Sequence, residues 1–449
     1  DLYNQEGDGF YGGNHLTGVY WSLEGLAWDD DYLVRVVDLF GQLDSQDPGG
    51  RWSNRPLNSL TDIFLPWMPH NSSSIERQIA AIKALVKNNR ETAFNLLIKL
   101  LPNQTQNTSG THKPKWRKKV IPDDFEKGVS QDQFFTVSYE VSKLLVDNYG
   151  SDLRFIPEIV THLDHLMPDV LFEFLITLNG TLAEQTDDVK RPIWEEVMDL
   201  ITRHRKFPDA DWSLKEDKLV DIEVIAKVIE PKGLMEKGLR LFGSRDYDLF
   251  EGVGDWQEQR KKLEQEREIV VKAIYDEGGL EKIIEFCSLI ENAGNLGATF
   301  SKIASNEDLK SVFPRYCLSE GNLKYFVNQL AVSLYFEDAA KALGLINAES
   351  WSQFQISDYL KSLPFIEQVW VKADELLTDT QLYWKDVSIR PLHEEDINKA
   401  ATALLENNRP LAALDVLYLL RRDKENLSTD LVLKALKGSL VTNEPRGAL

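Results

Sequence analysis

The chain has 449 residues, 43% of them hydrophobic, with 51 Lys and Arg against 72 Asp and Glu, a formal charge of −21. That is apolar material for about three domains or one extended array, and it argues against a general phosphate-binding surface, which needs clustered positive charge. No apolar run reaches the ~18 residues of a membrane span. Two cysteines, Cys287 and Cys317, make no disulfide framework, so a reducing, cytoplasmic setting is expected.

The sequence starts at Asp1 without a Met and reads as a piece of a longer protein. Its first residues, with GDGFYGGN, are Gly-rich but lack the Lys-Ser/Thr that a phosphate-cradling P-loop requires, so a flexible lead-in is expected. Helical spacing follows over 17–43, through Val19, Leu23, Leu26 and Ala27, then Leu33, Val36, Val37 and Phe40, with a break at Trp28-Asp29-Asp30. The stretch Asp47–Pro69, DPGGRWSNRPLNSLTDIFLPWMP, is dense in Pro and Gly and predicts a long ordered loop. Either Trp52 and Trp67 pack back onto the helices, or the loop binds a partner, since Trp and Arg dominate interface hot spots. Ser72–Ser74 offer an N-cap to a helix starting near Ile75. A second loop over 103–120 gathers His112, Lys113, Lys115, Arg117, Lys118 and Lys119 around Trp116. A solvated connection or a phosphate grip would both fit that composition.

From Gln131 the spacing predicts helix after helix, with breaks at Tyr149-Gly150, Pro168 and Asn179-Gly180. An aromatic and charged corner follows from Arg203 to Trp212, and a highly charged helix from Trp256 to Leu280, held in solvent by opposite charges three and four apart. Turns are predicted at Gly294/Gly297 and at Gly321-Asn322. One motif recurs: LVKNNRETAFNLLIKLL (Leu85–Leu101) and LLENNRPLAALDVLYLL (Leu404–Leu420) both read as helix, Asn-Asn-Arg turn, helix. Asn suits that turn because it tolerates the left-handed conformation, and Ala93 or Ala412 lets the paired helices approach. Such hairpins cannot bury their apolar faces alone. The fold expected is therefore all-α, an irregular α-solenoid of stacked helix–turn–helix pairs resembling a TPR superhelix. Three regions are expected: 1–125 with the two loops, 126–280 and 281–449.

Catalytic chemistry finds little footing. His162 and His165, with His204 as a third member, lack the further ligands zinc takes, and both cysteines are far away in sequence. Acid pairs such as Asp187-Asp188 and Glu394-Glu395 are common in so acidic a chain, and no hydrolase or zinc-protease motif occurs. No catalytic residue, metal or cofactor is assigned.

Several blocks, GDGFYGGNHLTGVYWSLEGLAW, DPGGRWSNRPLNSLTDIFLPWMP, RHRKFPDADWSL and YWKDVSIRP with LLENNRPLAALDVLYLL, resemble the helical regions of bacterial AVAST-type anti-phage STAND NTPases. In that family an effector domain and a P-loop ATPase precede a tetratricopeptide-like array that senses a viral protein. The resemblance implies that this chain is part of such a sensor array, oligomerising, if at all, through the longer protein. It carries over no individual site residue, and the family's P-loop is missing here. A protein partner is expected, with no membrane and no nucleic acid, and the contact candidates are Arg51, Trp52, Arg55, Trp67, Trp116 and Trp212. Two alternatives remain: nucleic-acid binding through the 112–119 patch, and a divergent enzyme using acids in an inter-helix cleft.

Overall fold

The structure, a computed structural model, describes residues 15–49, 54–103, 106–108, 110–121, 123, 125–243, 245–250, 255–389, 397–419 and 427–444. Arg51, Trp52, Glu394, Glu395, Leu420 and the Gly-rich start lie outside them. Among the described residues the chain is all-helical, with no strand. None of its helices is long and apolar enough to cross a membrane. The described residues form two compact units, one reaching to Pro231 and one running from Lys232.

In the first unit α1 (His15–Ala27) and α2 (Asp30–Asp44) break where expected, because the Asp29 side chain accepts from the Asp31 N–H and caps α2. Asp30 and Asp31 then sit at the positive end of the helix dipole. The Pro-rich stretch is not wholly a loop: α3 (Pro56–Phe64) lies inside it. Proline is tolerated at the first helical position. Burial of Leu60, Ile63 and Phe64, each on the order of 2 kcal/mol, holds the helix to its neighbours. α4 (Ile75–Asn88) starts at the predicted cap, Ser74, and α5 (Arg90–Leu100) follows after one residue. A strap over 101–130 leads to α6 (Gln131–Tyr149), which opens with a Ser130/Gln133 capping box. Then come α7 (Ile156–Val160), α8 (Pro168–Leu182), α9 (Asp187–Lys206) and α10 (Glu216–Ile229). α8 runs through Asn179-Gly180, where a break was expected. A glycine so near a helix end costs about 1 kcal/mol, less than the burial of Leu178 and Leu182 returns. Within this unit α2, α4, α6, α8 and α10 each touch the next of that set; so do α1, α3 and α5, and α7 touches α9.

The second unit holds α11 (Leu234–Leu239), α12 (Trp256–Leu289), α13 (Ala293–Ser301), α14 (Asn306–Tyr316), α15 (Gly321–Glu337) and α16 (Ala339–Gly344). It continues with α17 (Gln353–Ser362), α18 (Glu367–Leu376), α19 (Gln381–Trp384), α20 (Ile397–Glu406), α21 (Pro410–Tyr418) and α22 (Thr429–Ser439). The charged helix breaks inside α12 at Gly278-Gly279, where Gly279 takes φ +62°. Gly294 and Gly297 do not make the predicted turn; both lie within α13. A Cβ on Gly297 would stand 2.3 Å from the Phe326 carbonyl oxygen, so glycine lets α13 and α15 meet backbone to backbone. Cys287 and Cys317 are buried free thiols, pushed by burial up to about 12 and about 11, the latter with help from the Asp358 carboxylate.

Each unit contains one of the two Asn-Asn-Arg hairpins. Ala93 of α5 and Ala412 of α21 are both buried, as the close helix approach requires.

Candidate functional site

The strap over 101–130 gathers most of the first unit's unusual chemistry, and the acid that anchors it comes from α1. Glu24 is the lone charged residue of that helix and is buried. Its carboxylate accepts from the Ser59 hydroxyl of α3 at 2.6 Å and from the His112 backbone N–H of the strap at 2.8 Å. One side chain thus ties three segments, and the two donors satisfy a charge that would otherwise be costly to bury. The His112 ring stacks on Trp21, centroids 4.2 Å apart. One residue earlier, Thr111 donates its N–H to Nδ1 of buried His70 at 3.0 Å, and its hydroxyl accepts from the Trp28 indole. Burial, and secondarily the Lys113 ammonium, lower the His70 ring to about 4, so it stays neutral and keeps its acceptor lone pair. Thr108 donates to Asp62 of α3 at 2.7 Å, and burial raises that carboxyl against the pull of the same hydrogen bond.

Two of the strap's basic residues are engaged by their own unit, while Lys115 and Lys119 are exposed. Lys113 lies 4.6 Å from the centre of the Phe125 ring; Arg117 pairs with Asp29 and lies over Tyr32. Between these anchored residues Trp116 is 97% exposed. An aromatic ring held in water on a pinned segment loses little further backbone freedom on binding. Beside the strap is a cleft of about 270 Å³, lined by Leu65, Met68, Ile75, Phe125, Val129 and Val137 among others.

The other described candidates have different surroundings. Arg55 is mostly buried and paired with Asp47. Trp67 is half-buried between Pro66 and Met68 of the cleft. Trp212 meets the His204 and Phe207 rings edge-on at 5.2 and 5.9 Å and is 41% exposed. Arg51 and Trp52 lie outside the described residues.

Two of the three histidines, His165 and His204, converge on Asp164, and His162 stands beside His165 and pairs with Glu158 at 3.5 Å. The buried Asp164 carboxylate has Arg203 at 3.1 Å, His204 Nε2 at 3.4 Å and His165 Nε2 at 3.8 Å, while His162 stacks on His165. Burial alone would raise Asp164; the His204 ring, His165 and Arg203 outweigh it and hold the carboxyl low. His204 Nδ1 accepts the Leu214 N–H at 3.0 Å, so Nε2 carries the hydrogen and presents no lone pair to a metal. Among the described residues no group of three or more His, Cys, Asp and Glu is arranged to hold a metal ion. The knot fastens the end of α9 to the 163–165 turn.

In the second unit a cleft of about 350 Å³ collects Arg260, Glu264, Lys302 and Glu337 around buried Arg267. Arg267 donates to Asp246 at 2.7 Å and to the Leu241 carbonyl at 2.8 Å, so its charge is already met.

Sequence reasoning singled out Trp116 as a contact candidate but missed the anchors of the segment that carries it. Glu24 and His70 are the residues it passed over; the signal for Glu24 was a single acid in an otherwise uncharged helix.

No protein-family model matches the chain, and no curated protein does. A crystal structure of an engineered protein covers 93% of this chain and 98% of its own at 14% identity, with a TM-score of 0.22, and carries no argument at that level.

Proposed function

We propose that this chain is an irregular TPR-like α-solenoid that binds a protein partner, with Trp116 as a preset anchor. The observation that carries the reading is a fully solvent-facing tryptophan on a strap pinned at Thr108, Thr111, His112 and Arg117. Tryptophan is among the residues most enriched in interface hot spots. Contacts between alternate helices of the first unit support the stacked-pair arrangement. The sequence resemblance to anti-phage sensor arrays adds a partner class, a viral protein. Engagement of Lys113 and Arg117 by Phe125 and Asp29 weighs against phosphate as the target.

The test is capture from phage-infected and uninfected bacterial lysates with the wild-type chain and with Trp116→Ala. One viral protein retained by the wild type, lost from the variant and rebinding when purified supports the reading. Retention of nucleic acid, or an identical catch by both chains, overturns it. Helicity of the variant, read by circular dichroism, should be unchanged because the ring contributes nothing to the core.

A further inference from the structure

Three neighbouring helices of the first unit turn apolar rows to solvent. On α10, Val220, Val224 and Val228 recur every fourth residue and are 46%, 57% and 51% exposed. On α8, Phe172 and Ile176, four residues apart, are more than half exposed, and α8 touches both α10 and α6. On α6, which α8 touches, Phe135 and Tyr139 are exposed as well. Each helix has a separate buried side: Leu219, Ile222 and Ala226 on α10, Leu171, Phe174 and Leu178 on α8, Val141 and Leu145 on α6. The rows are therefore additional to the core, on faces where a surface helix ordinarily carries charge. Exposed apolar rows on helices that touch one another are the kind of surface that marks an interaction site.

The rim says what kind of partner fits. Asp169 stands at the head of the Phe172 row, and Asp217 and Asp221 flank Val220; all three are exposed, against Lys227 on the same side of α10. The ammonium of Lys143, between Tyr139 and the α8 row, is already taken by Asp147 at 2.6 Å and Glu173 at 2.8 Å. Lys218 comes within 4.0 Å of Asp221, so these two offset each other, and among the described residues Asp169 and Asp217 are the rim acids without a paired cation. What is left is apolar teeth in an acidic frame, on a chain of charge −21 that would repel a second copy of itself and any polyanion.

We infer that this α6–α8–α10 face binds a cationic amphipathic helix of a partner protein. Its apolar side would seat on the Phe172, Ile176 and valine rows, and its Lys or Arg side chains would meet Asp169 and Asp217. Valines four residues apart stand about 6 Å from one another along α10, the spacing that helix-in-groove partners offer. Packed helices lie about 8–10 Å apart, so a partner helix of about 13 residues crosses all three rows. The face shares no residue with the strap, so it stands whether or not Trp116 is an anchor.

The experiment uses the full chain and a fluorescein-labelled Leu/Lys helical peptide of about 18 residues, read by fluorescence anisotropy. Two controls accompany it: the same peptide with Glu for Lys, and a scrambled Leu/Lys order that loses its apolar face. The Leu/Lys helix is expected to bind, the controls weakly or not at all. Phe172→Ser with Val224→Ser should weaken binding at least about tenfold. Asp169→Lys with Asp217→Lys should weaken it several-fold, more at low salt than at high. Trp116→Ala should leave it unchanged. Equal binding of the scrambled or Glu peptide, or indifference to both double variants, overturns the inference. Self-association of the wild type that Phe172→Ser with Val224→Ser abolishes would assign the face to a second copy and overturn it too. Because the charge-reversal variant alters only exposed side chains, it keeps the test decisive if the serine variant folds poorly.

Discussion

The α4–α5 and α20–α21 hairpins share the letters Asn-Asn-Arg yet close in different ways. In the first, Asn89 alone joins the helices at φ −139°, its N–H bonded to the Leu85 carbonyl and its own carbonyl accepting from Ala93. Its side chain abuts Gly41 of α2, where a Cβ would come within 2.7 Å of Asn89 Nδ2, and Asn88 donates to Asp38. In the second, Asn408 takes φ +57° and the backbone closes itself: Arg409 N–H to Leu404 oxygen, Asn408 N–H to Leu405 oxygen. That is the Schellman pattern of a helix end. One turn is shaped by its neighbour, the other by its own backbone.

Both arginines, however, reach beyond their hairpin to carbonyls near the end of another helix. Arg90 donates to the Asn148 carbonyl of α6 at 2.6 Å and lies 4.5 Å over the Tyr149 ring, with its side chain half-exposed. Arg409 donates to the Val387 carbonyl at 2.7 Å and to that of Trp384 at 3.3 Å, and pairs with the nearly buried Glu444 at 3.0 Å. Glu444 also accepts the first N–H groups of α21. The difference is water: one arginine is open to it and the other is not. Removing the second should therefore cost far more.

Arg409→Ala leaves the Glu444 carboxylate buried without its cation, and a loss of about 3–5 kcal/mol is expected in urea unfolding. A second contrast separates the units by acid, since every described histidine lies in the first. Between 6.5 and about 4 the unfolded His70 ring binds more protons than the folded one, so stability falls as pH falls through that window. The loss is bounded at about 3 kcal/mol. His165, also lowered chiefly by burial, acts in the same direction. Trp21 and Trp28 fluorescence should change over this range while contacts of the second unit persist in hydrogen exchange; simultaneous loss of both would count against it. Arg90→Ala should cost only about 1–2 kcal/mol, and a cost equal to that of Arg409→Ala would erase the contrast. Smallest is the turn itself. Asn408→Ala forces a Cβ-bearing residue without Asn's local hydrogen bonding into the left-handed region for about 1 kcal/mol, while Asn408→Gly should be near neutral in thermal melts.

What the sequence made legible was local. The Trp28-Asp29 break, the Ser74 cap and the left-handed Asn408 each depend on residues a few positions apart; the left-handed expectation fails in the first hairpin, where Asn89 takes φ −139°. α3 was hidden because Pro and Gly around it outweighed the spacing of Leu60, Ile63 and Phe64. The strap's anchors were hidden for another reason: His112 meets Glu24 across 88 positions and Thr111 meets His70 across 41. Nor could periodicity alone tell which of α8's apolar sides faces the core, since Phe172 and Phe174 read alike until the neighbouring helices are in place.

The two thiols supply a clock for one half of the molecule. Both cysteines of the chain belong to the second unit, are shut away from solvent, and resist forming the reactive thiolate. An alkylating reagent can reach them only when α12 or the end of α14 opens, so labelling time measures how often that unit breathes. The first unit contains no cysteine and stays silent, which allows either half to be perturbed and the second one alone to be timed.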